Sequence, residues 1–177
     1  TTQMGLESQE VQEAWERTVE CLKLAVDFVQ GNLGVKRSDF MPYSSMLPVL
    51  AYYFFYGNVN AVKTNFHRDQ LEKWFWRTAF AERYSGASQT RMTEDAQEIR
   101  KLIDEDKGFD FDRMPVTLDE RALIQSSMGS TTSAIRNGVL CMLNRLRPLH
   151  FENKSEIVIH GEHFSRFTLA ERHHVFP

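Results

Sequence analysis

The chain has 177 residues, of which 42% are hydrophobic, 12% aromatic and 25% charged. This composition is typical of a globular protein with a sizeable core, and it excludes a disordered tail, a collagen-like repeat and a disulfide scaffold. The formal net charge of -3 gives neither a global positive field that would recruit nucleic acid nor a strongly acidic field that would repel it. Any contact with DNA must therefore be local.

The cysteines and the apolar segments indicate in which cellular compartment the protein lies. Cys21 and Cys141 lie among apolar neighbours and far apart in sequence, which is typical of buried thiols in a reducing cytosol and argues against a zinc cluster. The longest apolar run, Met46 to Tyr56, has about half of the ~20 residues that a membrane span needs. No signal-peptide pattern opens the chain. We therefore expect a cytoplasmic protein without a membrane partner.

Hydrophobic periodicity predicts a mainly α fold, with a domain of about six helices over residues 1 to 150. The first helix is predicted over residues 8 to 30, with Ser8 as its N-cap. Its apolar face is formed by Val11, Trp15, Val19, Leu22, Val26 and Val29. The second helix, Met46 to Tyr56, is apolar all round, so it should lie at the centre of the core, with Ser44 or Ser45 as its cap.

The third and fourth helices carry the aromatic and acidic residues of the central region. The third covers at least His67 to Tyr84, and two of the three aromatic residues at positions 74 to 76 are expected in the core. Arg83 and Tyr84 would suit the dipole at its C-terminus and fix the next turn. The fourth is predicted to start at Thr93 as a hydroxyl cap, with Glu94 and Asp95 in its first turn.

The hydrophobic pattern changes from helical to strand-like near residue 150, after the last helical segments. A short helix is predicted from Thr117 to about Ser126, and another, capped within residues 130 to 133, ends before Pro148. The second of these should bury Ile135, Val139, Met142, Leu143 and Leu146. The β-branched run from Ile157 to Ile159 then predicts strands. We place a domain boundary near residue 150, so that residues 151 to 177 begin a second domain.

The last five residues carry the sharpest motif. His173-His174-Val175-Phe176-Pro177 resembles the opening of an HNH nuclease motif, whose ββα-metal unit starts with a metal ligand followed by a general-base histidine. The resemblance implies that His174 is the catalytic base and that His173 is a ligand of a divalent ion, Mg²⁺ or Mn²⁺. The rest of the motif would lie after Pro177. The truncated unit is therefore expected to be inactive by itself.

The central helical segments carry a second resemblance. Met46 to Phe54, Trp74 to Thr78 and Glu82 to Gly86 resemble the central helical region of the GmrSD-type restriction family, whose members join a ParB-like nucleotidase domain to a C-terminal HNH nuclease. The resemblance spans roughly residues 47 to 103 and the terminal pentapeptide. It implies a helical connector in a phage-defence protein that cuts modified DNA, flanked by those two domains. The start at Thr1, without an initiator Met, likewise predicts an internal fragment.

Residues 130 to 150 form the best candidate DNA surface, because they include three arginines and no acidic residue. Arg136, Arg145 and Arg147, with Asn137 and Asn144, could donate to phosphate oxygens. The alternative is a solvated helix face whose arginines pair with acids on neighbouring helices. The first helix, in contrast, is acidic and is better suited to protein contact or solvent than to DNA.

Two further interpretations stay open. The chain as a whole could be a non-catalytic helical interaction or dimerisation domain with an incidental terminal histidine pair, and a homodimer is compatible with either function. His160 and His163 would not converge on a metal without a third partner, so exposed turn positions are the better interpretation.

Overall fold

The computed structural model describes residues 2–117 and 133–157, with side chains from residue 9 onward. These residues form helices α1 (Thr2–Asn32), α2 (Met46–Tyr56), α3 (Asn65–Phe80), α4 (Ser88–Glu105) and α5 (Ala134–Arg145), with 3₁₀ turns at Ser38–Phe40 and Phe111–Arg113. The predicted mainly α fold is confirmed for this part of the chain. The short helix predicted after Thr117 lies almost wholly outside the described residues.

Helix α2 lies at the centre of the core, as its composition predicts. Its buried residues are Met46, Val49, Leu50, Ala51, Tyr53 and Phe54, and α1 and α4 pack against it. The predicted bounds are correct, but the Ser45 side chain makes no capping hydrogen bond. The start of α2 is held by backbone bonds from the Met46 and Leu47 N–H groups to the carbonyls of Tyr43 and Ser44.

Helix α1 is longer than predicted and extends past the core. Ser8 lies inside the helix, so its prediction as an N-cap is wrong. Val29 is buried, whereas Val11 and Trp15, on the same predicted face, are each 69% exposed. Arg17 donates to the carbonyls of Phe54 and Val59 at the far end of α2, and the preceding turns of α1 run beyond that end.

Helices α3 and α4 are joined by a tight turn in place of the predicted longer helix. Helix α3 ends at Phe80, and Glu82 adopts φ +47°, a left-handed conformation that stops a helix of L-residues. Trp74 and Phe75 are fully buried and Trp76 is partly buried, so the expectation of two core aromatics is confirmed. The predicted Thr93 cap is wrong, because Thr93 lies inside α4 and donates to the carbonyl of Gln89.

Helix α5 is capped as predicted but turns a different face inward. Ser133 Oγ accepts from the Arg136 N–H at its start. Of the predicted apolar stripe, Met142, Leu143 and Leu146 are 48%, 43% and 77% exposed. Ile135 is buried as predicted, and the rest of the buried face includes Asn137, Gly138, Cys141 and Asn144, which the predicted stripe does not contain. Hydrogen bonding explains why this face is buried. The side chains of Asn137, Cys141 and Asn144 donate to backbone carbonyls of the loop between α1 and α2.

After α5 the chain makes a tight reversal at the predicted domain boundary. Leu149 and Glu156 form an isolated antiparallel bridge, supported by a bond from the His150 N–H to the carbonyl of Ser155. This bridge is the only β pairing among the described residues. The predicted ββα-metal unit falls largely on residues 158–177, outside that part of the chain, and the boundary near residue 150 stays a prediction. Within the described ranges no helix has the length and apolar character to span a bilayer.

Candidate nucleic-acid interface

The end of α1, the loop after it and the end of α5 enclose a polar cleft of about 370 Å³. Three cationic residues line it, Lys36, Arg145 and Arg147, against one acid, Glu156. We call this the cationic cleft. It lies where the helical body meets the chain reversal at residues 148–157 and therefore borders the predicted domain boundary.

The cleft exists because the loop after α1 approaches α5 at backbone distance. Gly34 adopts φ +72°, and a Cβ there would collide with the carbonyl oxygen of Cys141. The Asn144 amide donates to the Gly34 carbonyl at 3.2 Å, and the Cys141 thiol donates to the Phe40 carbonyl at 3.3 Å. Burial raises the pKa of Cys141 to about 12. Its thiol therefore stays protonated at neutral pH and acts as a structural donor.

The three cations of the cleft differ in whether an acidic side chain already neutralises their charge. The Arg145 guanidinium pairs with Glu72 of α3 at 2.8 Å. The Lys36 ammonium donates to the Gln30 carbonyl at 3.4 Å and forms no ion pair with a described residue. Arg147 is exposed and likewise pairs with no acid in the described part of the chain. Lys36 and Arg147 are thus the groups that could neutralise the charge of an incoming anion.

The structure brings two of the three predicted DNA-binding arginines together. Arg145 and Arg147 share the cleft, whereas Arg136 is only 8% exposed on the packed side of α5. The Asn137 and Asn144 amides, expected to donate to phosphate, are buried and donate to backbone carbonyls at Asp39, Met41 and Gly34. The pairing of Arg145 with Glu72 matches the alternative of a helix face neutralised by neighbouring acids.

Sequence reasoning missed Lys36, which lies more than a hundred positions before Arg145 and Arg147. The signal that could have found it is the Gly-x-Lys segment, Gly34 to Lys36, directly after the end of α1. A glycine after a helix end often adopts positive φ and turns the chain back onto the helical body. That turn places the following lysine at the cleft.

A larger cleft of about 540 Å³ opens at the turn between α3 and α4. It is also lined by arginines, Arg83, Arg91 and Arg113. Arg83 and Arg91 both pair with Glu94, at 2.9 and 3.1 Å, and the cleft contains Glu82 as well. Because most of its positive charge is already neutralised inside the protein, this cleft is a weaker candidate for phosphate contact.

Beneath that turn lies a buried polar network centred on Asp95. The carboxylate is fully buried and accepts hydrogen bonds from Trp74 Nε1 at 2.9 Å and Tyr84 Oη at 2.6 Å. Arg83 adds a bond from Nε at 3.0 Å and an ion pair at 2.7 Å. Burial lowers the pKa of Arg83, but its bonds to Asp95 and Glu94 outweigh this and leave that pKa raised. Burial and the adjacent carboxylate raise the pKa of Tyr84.

This network corrects one prediction and confirms another. Asp95 lies in the third turn of α4 and faces the core, so it is not a first-turn partner of the helix dipole. Arg83 and Tyr84 do fix the turn after α3, as expected. They do so through the Asp95 carboxylate.

A second network, buried at His67 and exposed at Asp106, joins α2, α3 and the end of α4. His67 is fully buried, with its Nδ1 at 2.7 Å from the Tyr53 hydroxyl and its Nε2 at 2.7 Å from Asp106. The Tyr53 hydroxyl also accepts from the Lys63 N–H at 3.1 Å. Every polar atom of the imidazole has a partner, so this histidine is a structural link between helices.

The predicted catalytic base and metal ligand, His174 and His173, lie outside the described residues, as do His160 and His163. Among the described residues no three His, Cys, Asp or Glu side chains converge in a way that could hold a metal ion.

Comparisons with known proteins leave the family open. No protein-family model matches the chain, and no solved structure matches it with significance. The chain is similar to an uncharacterized protein of Methanocaldococcus jannaschii, with 24% identity over 111 residues. The matched segment covers 62% of this chain and 18% of that protein, so the chain spans about a fifth of the length of the relative that it matches.

Proposed function

We propose that this chain is the helical connector of a DNA restriction protein and that it positions a metal-dependent HNH endonuclease on its substrate. In this proposal the cationic cleft contacts the phosphate backbone of DNA beside the nuclease unit. The observation that carries the proposal is the convergence of Lys36, Arg145 and Arg147 at the point where the helical body ends.

The chemistry of the cleft supports backbone contact without base recognition. Lysine and arginine side chains bind phosphate oxygens and fix the register of a protein on a duplex, but they carry no sequence information when they do so. Among the described residues that line the cleft there is no aromatic side chain on which a base could stack. The target modification would therefore be recognised elsewhere in the full-length protein.

The residues behind the family resemblance also support a connector. Residues 47 to 103 include most of α2, all of α3 and most of α4, and the two buried networks centred on Asp95 and His67 tie these helices together. Satisfied buried networks of this kind make a body stiff. A stiff body is what a connector needs in order to hold a nuclease at a fixed position relative to DNA.

The catalytic part of the proposal rests on the terminal motif. The resemblance assigns His174 as the general base that takes a proton from the attacking water, and His173 as a ligand of Mg²⁺ or Mn²⁺. The metal would supply charge neutralisation at the leaving oxygen. An imidazole suits the role of base because it titrates near neutral pH.

The test is cleavage of modified and unmodified phage DNA by the full-length protein with Mg²⁺ or Mn²⁺, with and without nucleoside triphosphate. We expect the wild-type protein to cut and the His174→Ala variant to lose at least about a hundredfold in rate, the usual contribution of a general base. A fully active His174→Ala variant would contradict the nuclease assignment. A folded wild-type protein that never cuts would favour the interaction-domain alternative.

A further inference from the structure

The first half of α1 carries an apolar face that no other described residue covers. Val11 and Trp15 are each 69% exposed. Thr18 and Leu22 continue the same face at spacings of three and four residues, and Val29, further along it, is buried. The apolar face of α1 is thus buried at one end and exposed at the other. A partner that packed on the exposed end would bury the face along its whole length.

An apolar groove adjoins this face where α1 passes α2. The groove has a volume of about 280 Å³, close to the ~300 Å³ at which pockets begin to hold small ligands. It is lined by Thr18, Cys21 and Leu22 of α1 and by Pro48, Ala51, Tyr52 and Phe55 of α2. Phe55 is 43% exposed. The groove therefore has room for one aromatic side chain and presents apolar surface to it.

We propose that this face pairs with the same face of a second copy of the chain, with the two α1 helices antiparallel. Trp15 lies about one turn before the groove on the same helix face, since a helix rises ~1.5 Å per residue. A two-fold axis between Trp15 and Thr18 sets Trp15 of each copy opposite Thr18 of the other, in the other's groove. Val11 then lies opposite Leu22. A large side chain thus faces a small one in the central layer.

The charges of α1 favour this partner. At ~100° per residue the charged side chains of residues 10 to 23 all lie away from the face. They are Glu10, Glu13, Glu16, Arg17, Glu20 and Lys23. Arg17 is held against the end of α2 by its bonds to Phe54 and Val59. Two copies can therefore approach without charge repulsion across the contact, whereas the acidic outer side of α1 would repel phosphate groups.

Self-complementarity decides between a second copy and an unrelated protein. The projecting Trp15 and the groove that fits it lie on one surface of one molecule. A two-fold interface needs the same patch to supply both halves of the contact, and this patch does.

The area involved indicates a reversible dimer. An aromatic side chain buries ~150–250 Å², so two Trp15 side chains with their neighbours bury about 1,000 Å² in total, the lower end for specific interfaces. Because buried area alone does not set affinity, we take the weak end of the range for such contacts, a dissociation constant on the order of 10 µM. Dimerisation would place two copies of the proposed nuclease in one assembly, but it does not depend on that function.

Sedimentation equilibrium of the 177-residue chain tests the proposal. We expect the mass to rise from the monomer value of 20.6 kDa towards twice that value as the concentration passes through roughly 10 µM. Trp15→Ala should weaken dimerisation at least tenfold by removing the projecting side chain. Thr18→Trp should do the same by filling the groove. Both positions are exposed, so circular dichroism and the melting temperature should show folded variants.

The matched control is Leu146→Ala, which removes an apolar side chain that is 77% exposed on α5 and should leave the dimer unchanged. Fluorescence gives a second readout, because the emission of Trp15 should shift to shorter wavelength as the concentration rises and this shift should be absent from Trp15→Ala. A chain that stays monomeric at ten times the expected dissociation constant would overturn the proposal. A dimer that both α1 substitutions leave intact would overturn it as well.

Discussion

At the scale of single residues, Asp95 is the acid for which the predicted first-turn position in α4 is wrong. Asp95 lies four and seven positions before Ile99 and Leu102, so it shares the buried stripe of α4. An acid on a buried stripe needs a buried cationic or hydroxyl partner. Arg83 and Tyr84 are those partners, but nothing in the local pattern singles them out, because the turn that brings them to α4 depends on the left-handed Glu82.

Removal of the Asp95 charge should be strongly destabilising. In Asp95→Asn the buried guanidinium of Arg83 loses its closest carboxylate, and removing one partner of a buried ion pair costs about 3–5 kcal/mol. The free energy of unfolding, measured by urea titration with Trp fluorescence, should fall by that amount.

Glu94→Gln is the control for this substitution. It removes the second acid bonded to Arg83. The Glu94 side chain is 26% exposed, and a partly exposed ion pair of this kind contributes at most about 1 kcal/mol. Equal losses in the two variants would show that the Asp95 network is not the main link between α3 and α4.

At the scale of elements, α5 shows why a helix can be predicted correctly and its orientation wrongly. Its existence and its Ser133 cap follow from the sequence, but the apolar stripe that includes Met142 and Leu146 faces outward. The buried face is chosen by Asn137 and Asn144, which satisfy carbonyls in the loop after α1. Those carbonyls lie about a hundred positions away, so no local pattern reveals the requirement.

Gly34 is the residue on which this docking depends, and Gly34→Ala should cost about 2–4 kcal/mol. The cost combines a left-handed backbone, unfavourable for alanine by about 1–2 kcal/mol, with a collision against the Cys141 carbonyl. Thermal unfolding followed by circular dichroism measures the loss.

Gly31→Ala gives the opposite sign and serves as the matched control. Gly31 lies inside α1, and a Cβ there meets nothing within 4 Å. Alanine should therefore stabilise the chain by about 0.5–1 kcal/mol through helix propensity. A Gly34→Ala variant as stable as the wild type would contradict the close approach of the loop to α5.

At the scale of the whole molecule, the sequence predicts the parts of the fold that depend on local periodicity. The mainly α composition, the central position of α2 and the burial of Trp74 and Phe75 all follow from it. The joining of Lys36 to Arg145 and Arg147 in one cleft does not, because it arises from packing between α1 and α5. The projection of α1 past α2 does not follow from the sequence either. Periodicity predicts that the whole apolar face of α1 is buried, but it does not show where the neighbouring helix ends.

Salt-dependent binding of the 177-residue chain to a labelled DNA duplex tests most directly the claim that the cationic cleft contacts phosphates. We expect affinity to fall with rising salt, and the Lys36→Ala/Arg147→Ala double variant to bind more weakly and to reduce the salt slope by roughly two, about one for each phosphate that the protein no longer neutralises. Lys107→Ala, which removes an exposed cation outside the cleft, should match the wild type. A double variant with wild-type affinity and slope, or a folded chain whose binding is absent or independent of salt, would contradict the account.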